Sequence, residues 1–140
     1  MKRQAKILMS LVLAVAMCFS ALSVFASAEE IEVSPRLSHM GGGAFGFSAL
    51  EDGCHATVSY EGYAASFVWA RVTFEVQKRN LLVFWKDIGT WTATSTELWG
   101  YFYHIFEGTG KGTFRCHMTL EVLGTDGTYD VITDTRECTY

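Results

Sequence analysis

Gly112-Thr-Phe-Arg-Cys-His-Met-Thr-Leu-Glu-Val-Leu123 alternates from Thr113 to Val122. Phe114, Cys116, Met118, Leu120 and Val122 fall on one face, and Thr113, Arg115, His117, Thr119 and Glu121 fall on the other. Successive side chains of a strand point to opposite faces, so this stretch has one apolar side and one wet side. It reads as a central strand of an antiparallel β domain, and the rest of the chain is consistent with it.

Downstream, Gly124-Thr-Asp-Gly127 reads as a hairpin turn, which returns the chain as a last strand from Tyr129 to Tyr140. Upstream, β-rich runs are separated by Gly, Asp and Asn, and no window sustains a helical period. The expected strands are Ala44–Leu50, Cys54–Tyr60, Phe67–Gln77, Leu81–Ile88 and Glu97–Phe106, each followed by a turn or loop. Val68, Ala70, Val72, Phe74 and Val76 are expected inward on the third run. The threonine-rich stretch Gly89–Thr96 reads either as an edge strand centred on Trp91 or as a loop.

The chain begins with Lys2, Arg3 and Lys6, followed by an apolar run from Ile7 to Phe25 and then Ala26-Ser27-Ala28 before two glutamates. A charged start, an apolar stretch and a small-x-small site predict a secretory signal over residues 1–28. A retained membrane anchor is the competing reading. Residues 29–43 read as a flexible acidic leader ending in Gly41-Gly42-Gly43, and residues 44–140 as one β-sandwich domain. The signal carries three of the eleven Lys and Arg and none of the fifteen Asp and Glu. The remainder therefore stands near −7, at 8 against 15. That balance argues against nucleic acid as a partner, and against a membrane once the signal is removed.

Several segments together resemble a family of small secreted proteins of Gram-positive gut bacteria that have no assigned activity. These are the leader with Ser34-Pro35-Arg36, the strand end Val72–Lys78, Trp85-Lys-Asp-Ile88, the Gly112–Cys116 start and the terminal Asp-Gly hairpin. The resemblance spans roughly residues 31 to 140, and this chain departs from it in being more aromatic and poorer in serine. It implies an immunoglobulin-like or similar β-sandwich, and it implies no catalytic or binding residues. The fold expected is all-β, an antiparallel two-sheet sandwich of about seven strands.

Export allows disulfides, and three cysteines remain after the signal: Cys54, Cys116 and Cys138. Cys54 and Cys116 both sit on apolar strand faces, one early and one late. They are expected to pair across the core, leaving Cys138 as a free thiol able to join two chains. Pairing of Cys116 with Cys138 across the last hairpin is the alternative. The doublets Cys54-His55 and Cys116-His117 raise a metal site, but neighbours on a strand face opposite ways, so no metal is expected. A hydrolase would need His104 or His117 beside a nucleophile, and no Gly-x-Ser-x-Gly marks one. No cofactor is expected.

The aromatic surplus is the remaining signal. Trp69 stands on the polar face of its strand, and the run from Trp99 to Phe106 is apolar on both sides. Trp69, Trp99, Tyr101 and Tyr103 therefore form the candidate binding surface, for an extracellular protein or a glycan. The competing reading is a wide core, with the second face covered by the leader or by Gly89–Thr96. The expected function is a secreted, non-enzymatic binding module. An exported structural or toxin-like protein, dimeric through Cys138, is the alternative, and a secreted hydrolase the third.

Overall fold

The computed structural model describes residues 36–140 apart from Leu82. The expected signal, and the leader as far as residue 35, lie outside the described residues. Seven strands make up the domain: β1 (Met40–Leu50), β2 (Gly53–Gly62), β3 (Phe67–Asn80), β4 (Phe84–Ser95), β5 (Trp99–Glu107), β6 (Thr113–Gly124) and β7 (Tyr129–Thr139). They form two antiparallel sheets, ordered β1-β2-β5 and β4-β3-β6-β7. The architecture is the expected two-sheet sandwich. The constant-type immunoglobulin arrangement places four strands and three, with the fourth strand beside the fifth. Here the fourth strand pairs with β3 instead.

β6 is central, as its alternation implies. It pairs with β3 on one side and β7 on the other, and its residues are buried at every second position. Phe114, Cys116, Met118, Leu120 and Val122 are fully buried, and they meet Cys54, Ala56, Val58 and Tyr60 of β2 across the core. Each large apolar side chain buried in this way contributes about 1.5–3 kcal/mol. Val72, Phe74 and Val76 of β3 complete the middle of the core.

Three segments differ from the sequence reading. The leader does not run to residue 43. Ser38, His39 and Met40 present their backbone N–H groups to one carboxylate oxygen, Asp130 Oδ2 on β7, at 2.8, 2.6 and 3.1 Å. That acceptor turns Met40–Gly43 into the start of β1, and the Met40 side chain is wholly buried. Leu81–Ile88 and Gly89–Thr96 are not two segments. The turn ends at Val83, and β4 is one strand whose register shifts opposite Val76 and Gln77. That bulge breaks the alternation that would have revealed it. Val68 is 38 % exposed rather than inward, because a second register shift falls between Phe67 and Trp69.

Candidate functional site

The three-stranded sheet has an outer face that its register defines completely. Gly42, Glu61 and Trp99 form one row across β1, β2 and β5. Ala44, Ser59 and Tyr101 form the next, followed by Gly46, Thr57 and Tyr103. Directly paired residues point to the same side of a sheet, so each row is a set of neighbours. The face therefore has an aromatic column along β5, a column of small polar residues along β2, and an almost bare column along β1.

The aromatic column is open. Trp99 is 75 % exposed, Tyr101 65 % and Tyr103 45 %. The inward positions of the same strand are Gly100, Phe102, His104 and Phe106, and they face the core. This explains why the run reads as apolar on both sides. The Gly89–Thr96 stretch does not cover the outer face: through Ser95 it is paired into the opposite sheet as part of β4. The glycines deepen the site. Gly42 has φ of 144° and open space where a side chain would stand. A groove of 710 Å³ runs between Gly41–Ala44, the Ser59–Glu61 segment and the Trp99–Tyr101 segment. On the core side of the aromatic strand Gly100 passes over the Tyr60 ring, where a Cβ would meet ring atoms at 2.8 Å.

Electrostatics separate the two sheets. No Lys or Arg occurs in β1, β2 or β5, whereas β3, β4, β6 and β7 carry Arg71, Lys78, Arg79, Lys86, Arg115 and Arg136. Beyond the aromatic column lies a hydrogen-bonded chain. Tyr103 Oη is 2.8 Å from His55 Nδ1, and His55 Nε2 is 2.7 Å from Asp52 Oδ1. The hydrogen bond from His55 holds the Asp52 carboxyl below its usual 3.8, against the opposing effect of burial. The chain locks the Tyr103 ring in place and orients its hydroxyl.

Trp69 does not belong to this surface. It lies half-buried on the outer face of the other sheet, edge-on to Tyr129 at 5.7 Å, with the Arg71 guanidinium 5.1 Å from its ring centre. Glu61, Ser59, Thr57 and the glycines of β1 do belong to it, and sequence reasoning missed them. Their signal was the small residues at 42, 44, 46 and 48, which share one strand face.

Cys54 and Cys116 occupy strands β2 and β6, on facing sheets and both buried, as expected. The expected disulfide between them is not formed, and all three cysteines are thiols. Each core sulfur has its own polar neighbour. Cys54 Sγ lies 3.5 Å from Thr109 Oγ1, and the Cys116 thiol donates to the His117 carbonyl at 3.8 Å. Cys138 is half-buried and packs against the core opposite Phe114, so it is not the exposed terminal thiol the sequence suggested. Burial pushes the Cys116 thiol up to about 12 and that of Cys138 up to about 11.

The histidines are dispersed. His55 and His117 point out from opposite sheets, and His117 Nδ1 lies 2.7 Å from Thr135 Oγ1. His104 stacks on Trp91 at 4.7 Å and meets Phe106 edge-on. Among the described residues no three His, Cys, Asp or Glu side chains gather closely enough to hold a metal ion. No protein family, curated protein or solved structure matches the chain.

Proposed function

We propose that the protein is a secreted, non-enzymatic binding module that holds an extended, uncharged glycan against the outer face of its three-stranded sheet. The observation that carries this reading is the column of Trp99, Tyr101 and Tyr103, exposed beside a floor of glycine, alanine, serine and threonine. Aromatic rings on a rigid strand offer large apolar faces at little entropic cost. A sugar ring presents a C–H face to stack on them and hydroxyls at its edge. Ser59, Thr57 and the Glu61 carboxylate stand in the adjacent column to meet those hydroxyls.

The lack of any cation on β1, β2 and β5 favours a neutral ligand over a uronate or sulfated one. A chain lying along the column would meet all three rings, whereas a single sugar would meet one. Binding rather than hydrolysis is favoured because the one hydrogen-bonded chain on this face ends in a phenol. Neither a serine nor a cysteine stands within that chain to act as a nucleophile: its members are Tyr103, His55 and Asp52. The dimer alternative is disfavoured by the inward, half-buried position of Cys138.

The test is affinity electrophoresis through gels containing soluble neutral polysaccharides, with a polyuronate gel as control. The wild type is expected to be retarded by at least one neutral glycan and not by the polyuronate. Trp99→Ala and Tyr101→Ala are expected to migrate freely while keeping the wild-type circular dichroism. Equal retardation of wild type and both variants would remove the aromatic column from the site.

A further inference from the structure

A second surface lies at the tip of the β3–β4 hairpin. β3 runs past the start of its neighbour β6: its last pair there is Lys78 with Phe114, while Arg79 and Asn80 pair only with Trp85 and Phe84 of β4. The hairpin therefore projects beyond the sheet. At its end Leu81 is 79 % exposed, Val83 75 % and Phe84 69 %, which places all three among the most exposed large apolar side chains of the domain. Leu81 also has φ of 48°, and the Val83 N–H donates to its carbonyl across the turn at 2.8 Å. Left-handed backbone favours glycine or asparagine, and leucine there is uncommon. This turn thus carries an apolar side chain at a position where both the backbone and the solvent disfavour it. Strained backbone and exposed apolar side chains at one turn are features that interaction sites share.

Cations ring the base of the tip. Lys78 and Lys86 face each other on one side of the hairpin, and Arg79 lies on the other side beside Arg115. Both guanidiniums lie over the Trp85 ring, 4.8 and 4.3 Å from its centre. Lys78 Nζ donates to the Thr109 carbonyl at 2.9 Å and Arg79 pairs with Glu137 at 3.4 Å, so among the described residues Lys86 and Arg115 are the collar cations with neither an ion pair nor a backbone acceptor. Asp87 lies beside them on the same sheet, and the acidic Glu51-Asp52 turn approaches from the other sheet, where the Asp52 carbonyl accepts from the Gly108 N–H. The charge of the whole chain hides this local excess. An apolar point above a collar of lysine, arginine and tryptophan has the order of a bilayer: acyl chains, then headgroups. We infer that the β3–β4 tip docks on an anionic lipid surface, inserting Leu81, Val83 and Phe84 shallowly while the collar meets the headgroup phosphates.

Co-sedimentation with vesicles of phosphatidylcholine alone, or mixed with phosphatidylglycerol, tests this. The chain is used as exported by an expression host, with one N-terminus for all variants. The wild type is expected to sediment with the mixed vesicles and to be released by salt. The triple variant Leu81→Ser, Val83→Ser, Phe84→Ser is expected to lose binding by at least about tenfold, since it removes three exposed apolar side chains. Lys86→Gln alone is expected to lose about fivefold on the mixed vesicles only. Unchanged circular dichroism and unchanged glycan retardation verify that each variant is folded. Failure of the wild type to sediment with either vesicle overturns the inference, as does equal sedimentation of the triple variant. If wild type is a dimer that the triple variant converts to monomer, with no vesicle binding, the tip is a protein contact and the lipid reading fails.

Discussion

Asp130→Ala removes the one acceptor shared by the backbone N–H groups of Ser38, His39 and Met40. His39 is 3 % exposed and Met40 is fully buried, so two of those donors cannot turn to water while the segment stays in place. Hydrogen bonds to a charged group contribute about 1.5–3 kcal/mol each, and a buried donor left alone costs about 1–3 kcal/mol. With two buried donors at stake, the expected loss is about 3–5 kcal/mol. For a domain of roughly 100 residues each kcal/mol moves the melting temperature by about 4–8 °C, so while the segment stays in place the fall is at least about 12 °C. The loss is smaller if the segment instead peels away. In that case Met40 and Leu37 leave the core and trypsin reaches Arg36 faster. Asp130→Asn keeps one acceptor oxygen and is expected to fall between wild type and Asp130→Ala. Thermal melting by circular dichroism, with timed trypsin digestion, separates the two modes. A variant that melts with the wild type and is digested at the wild-type rate would show that Asp130 does not hold β1.

Three further outcomes follow from the thiols, the His55 chain and the core. Burial holds the Cys116 and Cys138 thiols near 12 and 11, so at pH 8 only about one Cys138 in a thousand is a thiolate. Dithionitrobenzoate should therefore label Cys138 slowly and the two core cysteines only after unfolding. Rapid labelling of all three, or an intact mass lower by two hydrogens, would contradict this. In the His55→Ala variant the Asp52 carboxyl, now held below 3.8 by His55, should titrate at higher pH than in the wild type, as read by carbon-detected NMR. The sign follows from removing the donor that favours the charged form, and a midpoint that stays put would mean the hydrogen bond is not kept in solution. Leu120→Ala, in the fully buried middle of β6, should cost about 2–5 kcal/mol in a urea melt, and a cost below about 1 kcal/mol would mean that the sheets are not packed there.

The sheet-and-turn plan could be read from the sequence because most strands alternate. Met118, Leu120 and Val122 against His117, Thr119 and Glu121 state which way β6 faces, and the structure keeps that assignment. Where the reading failed, the backbone departs from period two. The shift at Val76 and Gln77 splits β4 in the sequence though it is continuous in space, and the shift at Phe67 and Trp69 turns Val68 outward. The start of β1 could not be read at all. Three glycines look like a joint until Asp130, some 90 residues away in the chain, fixes Met40 just ahead of them and β2 pairs with Gly42 and Gly43.

The candidate surface was half visible. Trp99, Tyr101 and Tyr103 lie two residues apart on one strand, so their shared face follows from the sequence. Which side of that strand is open depends on where β4 pairs, and a strand with a bulge does not declare its partner. The floor was invisible for a different reason. Glycine, serine and threonine carry no hydrophobic period, and only register places Gly42 beside Glu61 and Trp99. Trp69 stands on the polar face of its strand, as the alternation says, but alternation does not say which sheet that face belongs to, and the topology puts it on the other one.

The central claim is that Trp99, Tyr101 and Tyr103 form one continuous face for a neutral glycan. Titration of the protein with a soluble neutral oligosaccharide, followed by two-dimensional NMR, tests it most directly. The account predicts shifts confined to the backbone amides and side chains of Gly42–Gly46, Thr57–Glu61 and Trp99–Tyr103, with the Trp99 indole among the largest. Shifts centred on Trp69 and Tyr129, or no shift with any neutral glycan, would contradict it.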